Sequence, residues 1–207
     1  MNDKITNSLT SKDGLESHRP ARRVRADGQR NIESLIEAAV AVFATSGVDA
    51  PVRQIADTAG VGVGTLYRHF PQRSDLVVAV FQHEVDACAD AALAIAAEHE
   101  PGEALSRWMQ RYVDLITTKR GLAAALHSGN PAFDALPAYF LDRLRPALRV
   151  LLEAATAAGH VRAGVEVDDL LWAVPSLCML NHESGTAYAR RMVDLLVDGL
   201  RYSADTR

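Results

Sequence analysis

Apolar residues recur with the period of an α-helix along most of this 207-residue chain. One apolar stripe near the front of the chain consists of Ile32, Leu35, Ile36, Ala39, Val40 and Phe43. No alternating run of β-branched residues between turn residues competes with stripes of this kind. We therefore predict an all-α protein.

The predicted helices form a front group that includes short elements and a back group of longer ones. In the front group, Gly47 ends the first helix and Gly60 separates two short helices. A long helix then begins at Ser74, its expected N-cap. The longer predicted helices cover residues 30–46, 74–97, 104–119, 136–158, 167–180 and 186–202, with a short piece at 122–127. Two prolines, Pro137 and Pro146, should break or kink the helix at 136–158.

Charge is distributed unevenly along the chain, although the formal net charge is only −4. Arginines are concentrated between Arg19 and Arg30, and Asp27 is the only acidic residue among them. This stretch is a candidate basic arm for binding nucleic acid, and an unstructured basic tail is the alternative. Residues 1–18 are polar and have no apolar period, so we predict a disordered tail there.

Residue usage disfavours several classes of protein. Cys88 and Cys178 cannot form a disulfide framework and have no CxxC spacing, which fits a reducing cytoplasm. No apolar run reaches the ~18 residues that a membrane span needs, and the N-terminus has no apolar signal segment. No nucleophile motif or phosphate loop is present, so we predict neither catalysis nor a cofactor. We also predict no metal site, which would need convergence of His83, Glu84, His127, His182 and Glu183.

Two short helices joined by a glycine turn and preceded by a longer helix are typical of a helix-turn-helix DNA-binding unit. Ala56 is small where the two short helices would cross, and Gly60 can adopt the left-handed conformation that the turn needs. Val61 and Leu66 would fill the space between the helices. These residues predict a DNA-binding domain over residues 19–75.

The residues from Ile55 to Val77, IADTAGVGVGTLYRHFPQRSDLV, resemble the DNA-binding signature of the tetracycline-repressor (TetR) family of bacterial transcription regulators. The similarity covers about residues 30–80. It implies a DNA-binding regulator whose back end binds a small-molecule effector and forms a homodimer through the last two helices. The sequence departs from the family pattern at Ala50, Pro51 and Gly62, where the family usually has hydroxyl-bearing side chains.

A helical wheel for the second short helix places Leu66 on the buried side, with Val63 and Phe70. Gly64 and Arg68 fall on the opposite side, where a recognition helix would face the major groove of DNA. Gly64 would let the backbone approach the bases, and Arg68 can bind guanine O6 and N7. A solvated arginine without a DNA contact is the alternative.

The predicted DNA contacts extend to the flanks of this helix and to both ends of the domain. Arg73, at the start of the long helix, is predicted to bind a phosphate together with the N-terminus of that helix. The arginines of the basic arm would enter the minor groove or lie on phosphates. The predicted residues are Arg22, Arg23, Arg25, Val63, Gly64, Thr65, Tyr67, Arg68, His69 and Arg73.

Residues 76–207 contain both tryptophans and most of the tyrosines, and the family resemblance implies that they form a ligand-binding and dimerisation domain. The candidate ligand-binding residues are Trp108, Met109, Tyr112, His127, Phe133, Trp172 and Met179. The candidate dimerisation residues on the last helix are Tyr188, Met192, Leu196 and Leu200. For both sets, packing inside the core of the chain itself is the alternative.

We therefore expect a cytoplasmic, ligand-responsive transcription regulator that binds a palindromic operator in double-stranded DNA as a homodimer. A repressor released from DNA by a small molecule is the predicted mode of action. The alternatives are an activator on the same scaffold, and a helical ligand-binding protein or enzyme with a vestigial helix-turn-helix. Salt-dependent DNA binding would separate a regulator from the last of these.

Overall fold

The computed structural model describes residues 19–119, 122, 126, 128–179 and 185–201, and within these residues the fold is all-α, as predicted. The helices are α1 (Arg19–Ser46), α2 (Val52–Thr58), α3 (Val63–His69), α4 (Arg73–Glu98), α5 (Pro101–Lys119), α6 (Leu136–Ala157), α7 (Val167–Met179) and α8 (Gly185–Arg201). A 3₁₀ turn, Pro131–Phe133, lies directly before α6. The tail predicted at 1–18 and most of the helix predicted at 122–127 lie outside the described residues.

The first helix begins at Arg19, so the stretch predicted to be a basic arm is the start of α1 instead. The expected start was later because the apolar stripe begins only at Ile32. The residues before that point are mostly Ala, Arg, Gln and other residues that a helix tolerates, so the helix continues without an apolar face. The backbone of Arg22, Arg23 and Arg25 is therefore helical, and their side chains lie outside the described part.

Two glycines with positive φ separate the front helices where the sequence predicts. Gly47 has a φ of 79° and its N–H donates to the carbonyl of Phe43 at 3.1 Å, which ends α1. Gly60 has a φ of 70° between α2 and α3. This turn brings Val61 back over α2, where its N–H donates to the carbonyl of Ala56 at 3.0 Å. A residue with a Cβ would be strained at either glycine.

The long helix α4 has 26 residues, which corresponds to a length of about 39 Å. Its N-cap is Gln72, and Ser74, the predicted N-cap, is the second residue of the helix. The helix starts earlier than predicted because Asp75 accepts a 2.8 Å hydrogen bond from the backbone N–H of Gln72. The negative charge of Asp75 also favours a helix N-terminus.

Neighbours enclose α4 along most of its length, because α1, α5 and α6 all pack against it. Its buried residues are Ser74, Leu76, Val77, Val80, Phe81, Val85, Cys88, Ala89 and Ala92. A helix that is apolar on more than one face must be covered by several neighbours. The headpiece, which we define as α1 to α3, and the body, which we define as α5 to α8, therefore share one continuous core.

A polar cluster fixes α4 against α6. Arg143 donates from Nε to Asp86 at 2.6 Å and from Nη2 to Asp90 at 2.7 Å. The hydroxyl of Tyr139 also donates to Asp86, at 2.7 Å. Burial and this hydrogen bond raise the pKa of Tyr139 to about 12, so the hydroxyl stays protonated. Because the partners are four residues apart on each helix, the cluster sets the register between the two helices.

Aromatic side chains fill the centre of the body. Trp108 and Tyr112 of α5 are fully buried, and their ring centroids lie 5.6 Å apart. Phe140 of α6 lies 6.0 Å from Tyr112 and 6.5 Å from Phe81 of α4. The indole N–H of Trp108 donates to the carbonyl of Cys88 at 2.9 Å, so this buried polar group is satisfied.

The two prolines of α6 do not break it, so of the two predicted effects, a break or a kink, the break is absent. Pro137 lies in the first turn, where a backbone N–H has no helical partner to lose. Pro146 lies inside the helix and frees the carbonyl of Asp142, but this residue is exposed, so water can take the place of the missing donor. A single helix from Leu136 to Ala157 results.

A proline inside α7 is compensated by a side chain from α5. Pro175 has no N–H to donate to the carbonyl of Leu171, four residues earlier. The hydroxyl of Tyr112 donates to that same carbonyl at 2.8 Å. The freed acceptor is therefore satisfied although it is buried, and α7 continues through the proline.

Tyr112→Phe should destabilise the protein by about 1–3 kcal/mol, because the buried carbonyl of Leu171 loses its donor. The same substitution should cost less in a Pro175→Ala background, where the new backbone N–H can bond to Leu171. Urea unfolding of the parent, both single variants and the double variant measures this difference as a double-mutant cycle. Equal costs in the two backgrounds would contradict the proposed compensation.

Candidate DNA-binding surface and ligand domain

The headpiece holds α3 in place through a small apolar core. Ile55 and Ala56 of α2 are completely buried, and Leu66 and Phe70 of α3 are buried against them and their neighbours. The two short helices have no side-chain hydrogen bond at their N-caps, which are Pro51 for α2 and Gly62 for α3. Packing rather than capping therefore fixes these helices, as the absence of hydroxyl-bearing residues there suggests.

The outward side of α3 presents the residues that the helical wheel places there. Gly64, Tyr67 and Arg68 are exposed, with Tyr67 at 51%. Val63, Thr65 and His69 are partly buried. The wheel places Val63 on the inner side of the helix, and Thr65 and His69 flank the outer face. Their predicted contacts with DNA stay predictions.

Gly64 is not required by the packing of the chain itself. A Cβ built at this position would have no atom within 4 Å, and its φ is not positive. The glycine therefore leaves space open on the outer surface of α3. A partner that needs to approach the helix backbone closely, such as the edges of DNA bases, can use that space.

Arg73 has a different environment from the one that the sequence predicts. Its side chain is partly buried, and its Nε donates to the carbonyl of Val48 at 2.8 Å. Its Nη2 also contacts the carbonyls of Val48 and Ala50. Arg73 therefore fixes the loop between α1 and α2 to the first turn of α4. Its guanidinium bonds to the protein itself, whereas the sequence predicts a contact with a phosphate.

Three of the predicted ligand-binding residues belong to the core instead. Trp108, Met109 and Tyr112 have no exposed surface. The N–H of Trp108 and the O–H of Tyr112 already donate to backbone carbonyls, so neither is available to donate to a ligand. Sequence composition could not distinguish these residues from a pocket lining, because both environments are rich in aromatic side chains.

The other predicted ligand-binding residues are scattered. Phe133 is buried and lines a cleft between the headpiece and the body. Trp172 is 60% exposed on the outside of α7, so it does not face the interior with Trp108. The side chain of Met179 and all of His127 lie outside the described residues.

The predicted dimerisation face on α8 is partly wrong. Leu200 is only 4% exposed and belongs to the core stripe of α8, together with Ala189, Val193 and Val197. This stripe uses the spacing of four, four and three residues that defines a single helix face. Tyr188, Met192 and Leu196 are partly exposed beside it.

A further exposed apolar residue, Leu195, lies beside the predicted dimerisation residues of α8. Leu195 is 64% exposed, and it is the one large apolar residue that is exposed on the described part of α8. It follows Met192 at i+3 and Tyr188 at i+7, so it continues their face away from the core. Since α7 and α8 pack together, Leu195 and Trp172 are large apolar side chains on the outside of adjacent helices.

Comparison with known proteins gives matches to both parts of the chain. Residues 35–80 match the model described as bacterial regulatory proteins, tetR family, and residues 100–202 match the SbtR-like transcriptional regulator C-terminal domain. A TetR transcriptional regulator from Streptomyces coelicolor is 36% identical, with a TM-score of 0.72, over 84% of this chain and 99% of that one. This chain belongs to the TetR family.

Other relatives match a smaller share of this chain or match it at lower identity. A helix-turn-helix transcriptional regulator from Staphylococcus aureus strain USA300 is 39% identical over 64 residues, which are 30% of this chain and 35% of that relative. The match therefore spans about a third of the relative's length. The regulator FadR from Bacillus subtilis, in complex with stearoyl-CoA, is 21% identical, with a TM-score of 0.58, over 81% of this chain and 98% of that one. At this identity the likeness shows the fold alone.

Two further properties bear on this TetR-family chain. Among the described residues, no helix combines the length and the apolar character needed to cross a membrane. The same residues contain no group of three or more His, Cys, Asp or Glu side chains that could hold a metal ion. Of the residues considered for a metal site, His127, His182 and Glu183 lie outside the described part.

Arg73→Ala should lower the free energy of unfolding by about 1–3 kcal/mol, because the carbonyls of Val48 and Ala50 lose a charged donor. The matched control is Arg53→Ala on the exposed side of α2, which should change stability by less than about 0.5 kcal/mol. Urea unfolding of both variants measures the difference. Equal stabilities would contradict the structural role of Arg73.

The same variants distinguish the structural role of Arg73 from the predicted phosphate contact. If Arg73 acts by holding the loop, Arg73→Ala should weaken DNA binding without changing its dependence on salt. A lost phosphate contact would instead reduce the slope of log affinity against log salt by about one. Titrations of a DNA duplex at several salt concentrations decide between these outcomes. They are carried out without urea, at a temperature below the melting temperature of the variant.

Proposed function

We propose that this TetR-family protein is a ligand-responsive repressor in the cytoplasm that binds a palindromic operator as a homodimer. The observation that carries the proposal is the outer face of α3, where Gly64, Tyr67 and Arg68 are exposed while Leu66 and Phe70 anchor the helix. A short helix held rigidly and presenting such residues suits the major groove of DNA. The family match supports transcription regulation rather than catalysis.

Each exposed residue of α3 has a distinct role in this proposal. The guanidinium of Arg68 donates two hydrogen bonds to O6 and N7 of a guanine. The phenol of Tyr67 contacts a phosphate or a thymine methyl beside it, and Thr65 and His69 donate to phosphates on the two flanks. Gly64 lets the start of the helix lie close to the bases. The arginines at the start of α1 add phosphate or minor-groove contacts.

A homodimer explains how one short helix gives enough specificity. Two copies of α3 read two half-sites, which doubles the number of base contacts and requires a palindromic operator. The apolar outside of α7 and α8, with Trp172 and Leu195, supplies a surface that a second copy would cover. Exposed apolar surface of this kind is typical of an interface.

Release by a small molecule is supported by the arrangement of α4. The helix packs against both the headpiece and the body, so a change in the body can move α3. FadR, which has the same fold, was crystallised with stearoyl-CoA, and this supports ligand binding in the fold in general. Repression follows if the ligand-free dimer is the form that fits the operator.

Arg68→Ala should weaken binding to the operator by about 1–3 kcal/mol and relax the preference for one base pair in each half-site. The operator is first obtained by selection from random duplexes with the purified protein, and the affinities are then measured by fluorescence anisotropy. Tyr67→Ala should also weaken binding while the free energy of unfolding changes by less than about 1 kcal/mol, because its side chain is half exposed.

The control for these variants is Arg107→Ala, which removes an exposed arginine of the body. Its operator affinity should equal that of the parent. If Arg68→Ala and Tyr67→Ala also bind like the parent, α3 is not the recognition helix. If the parent selects no duplex sequence at all, the proposal of an operator-binding regulator is wrong.

Leu195→Glu should convert the dimer to a folded monomer, because the charge would be buried in the interface but is exposed in the single chain. Leu200→Glu, at a buried position five residues later, should instead unfold the protein. Sedimentation velocity at micromolar concentration, with circular dichroism as the check of folding, measures both outcomes. A parent that sediments as a monomer would contradict the dimer.

A further inference from the structure

Two exposed apolar residues have no role in the proposed function. Among the described residues, five large apolar side chains are exposed, and three of them are Tyr67 on α3, Trp172 on α7 and Leu195 on α8. The other two are Leu93 of α4 and Val150 of α6, with exposed fractions of 71% and 49%. Single exposed apolar residues are common, but a shared apolar surface indicates an interaction site. Whether Leu93 and Val150 share a surface therefore decides if they mark such a site.

The helices that carry these two residues, α4 and α6, run side by side in the same direction. On α4, Asp90 lies one turn after Asp86, and on α6, Arg143 lies one turn after Tyr139. Tyr139 bonds to Asp86, while Arg143 bonds to Asp86 and also reaches Asp90. The order of the contacts is thus the same along both helices, which is the arrangement of a parallel pair.

Leu93 and Val150 lie at the same level on the outside of this pair. Leu93 follows Asp86 by seven residues, and Val150 follows Arg143 by seven residues. Seven residues make about two turns, so each side chain returns to the face of the salt bridge about 10.5 Å further along its helix. Asp86 and Arg143 are 2.6 Å apart and both are partly exposed, so this face is the outer edge of the contact between the helices. Leu93 and Val150 therefore share one surface.

The shared surface extends to the far end of the body. Ala97 and Ala154, each four residues after the larger apolar side chain, are also exposed. The two helices stay close up to their ends, because two residues separate α4 from α5, and the N–H of Gly102 in α5 donates to Nδ1 of His160, just after α6, at 3.1 Å. The exposed surface thus continues along both helices, and we define the distal seam as Leu93, Ala97, Val150 and Ala154.

The distal seam lies away from the proposed contacts with DNA and with the dimer partner. Leu93 is 20 residues after Arg73, which is about 30 Å from the headpiece end of α4. The helix α5 packs against both α4 and α8, and so lies between the seam and α8. On α6, Arg145 bonds to Asp168 of α7 at 2.7 Å, and Val150 lies about 140° around the helix from Arg145. The distal seam therefore faces away from α7 and stays accessible in the proposed dimer.

The charges beside the distal seam fit a second copy of the same surface. Arg149 and Glu153 are exposed one turn apart on α6, next to Val150. A contact with two-fold symmetry places the same patch on both molecules, so the patch must be complementary to itself. If two copies of α6 cross there in opposite directions, Arg149 of each copy faces Glu153 of the other, and the ion pair forms twice. A purely acidic or purely basic partner would repel one of these two charges.

The side chains of the distal seam also suit a contact between helices. The distance between packed helices depends on the side chains at the contact, and small ones let the helices approach closely. Ala97 and Ala154 provide such positions beside the protruding Leu93 and Val150, so the large side chains of one copy can pack against the alanines of the other. Burial of this apolar surface then favours association of the two copies.

We propose that the distal seam is a second interface between copies of this chain, on a different side of the body from the dimer surface on α7 and α8. Its occupant is the same surface of another molecule in antiparallel orientation. The interface is small, so association through it is weak and requires a high concentration. That the associating units are dimers rests on the proposed function, whereas the interface itself does not.

Sedimentation velocity of the full chain from micromolar to submillimolar concentration tests the interface. The parent should shift towards larger species as the concentration rises. Leu93→Glu and Val150→Glu should weaken this association roughly tenfold or more, because a charge would be buried against the second copy. The matched control is Ala138→Glu, which adds the same charge at an exposed position near the start of α6 and should associate like the parent. Circular dichroism checks that all variants are folded.

A charge reversal identifies the occupant. Arg149→Glu and Glu153→Arg should each weaken the association roughly tenfold, because like charges then face each other across the contact. The double variant Arg149→Glu/Glu153→Arg should regain the association of the parent, because the ion pairs form again with opposite polarity. Single changes without effect, or a double variant that does not recover, would overturn the antiparallel contact between two copies.

Two further results would overturn the proposal. One is a parent that forms no larger species at any concentration. The other is an effect of Leu93→Glu that is the same at every concentration, which would assign the distal seam to another segment of the same chain. The same runs in a Leu195→Glu background separate this interface from the proposed dimer. If Leu195→Glu does not yield monomers at low concentration, the proposed dimer surface is wrong, while the loss of larger species in Leu93→Glu still decides whether the distal seam is an interface.

Discussion

The burial of α4 on several faces is the constraint on which the rest of the structure depends. Its apolar residues join the core of the headpiece to that of the body, so neither part can be packed without this helix. Polar contacts also fix α4 to the headpiece at its first turn and to α6 near its middle. Arg73 bonds to the loop before α2, and Asp86 bonds to Tyr139 and Arg143 of α6. Movement of α4 relative to either part therefore has to break identified interactions, and such movement is the physical content of any coupling between them.

The parts of the fold that the sequence predicts correctly are those fixed by local interactions. The spacing of Leu66 and Phe70 determines which face of α3 is buried, and the positive φ of Gly60 follows from the need for a tight turn. Both depend on residues within one or two turns of each other. The outward position of Arg68 follows from the same arithmetic. This is why the candidate DNA-binding surface could be predicted in detail, while the DNA contacts themselves depend on a partner that the chain does not contain.

The failures concern contacts between residues far apart in the chain. Arg73 and Val48 are 25 residues apart, and Tyr112 and Leu171 are 59 apart, so no periodicity indicates either hydrogen bond. Apolar residues also form two arcs around α8. Only the packing of α5 and α7 against α8 decides that the arc with Leu200 faces inward. An aromatic-rich segment likewise has the same composition whether it surrounds a ligand or fills a core. Each of these questions is decided by which helices pack together, and a single sequence leaves that open.

The energies of these contacts have the right size for regulation by a small molecule. Coupling between an effector and DNA is typically about 1–3 kcal/mol, and a hydrogen bond to a charged group contributes about 1.5–3 kcal/mol. Strain in the bonds from Arg73 to the loop before α2 is therefore of the size that the proposed regulation requires. Unfolding part of the body is not needed, and the interlocked rings of Trp108, Tyr112 and Phe140 would resist it. Because the headpiece and the body share one apolar core through α4, the polar contacts of Arg73 with the loop before α2 are the interactions that the proposed regulation would change without opening that core.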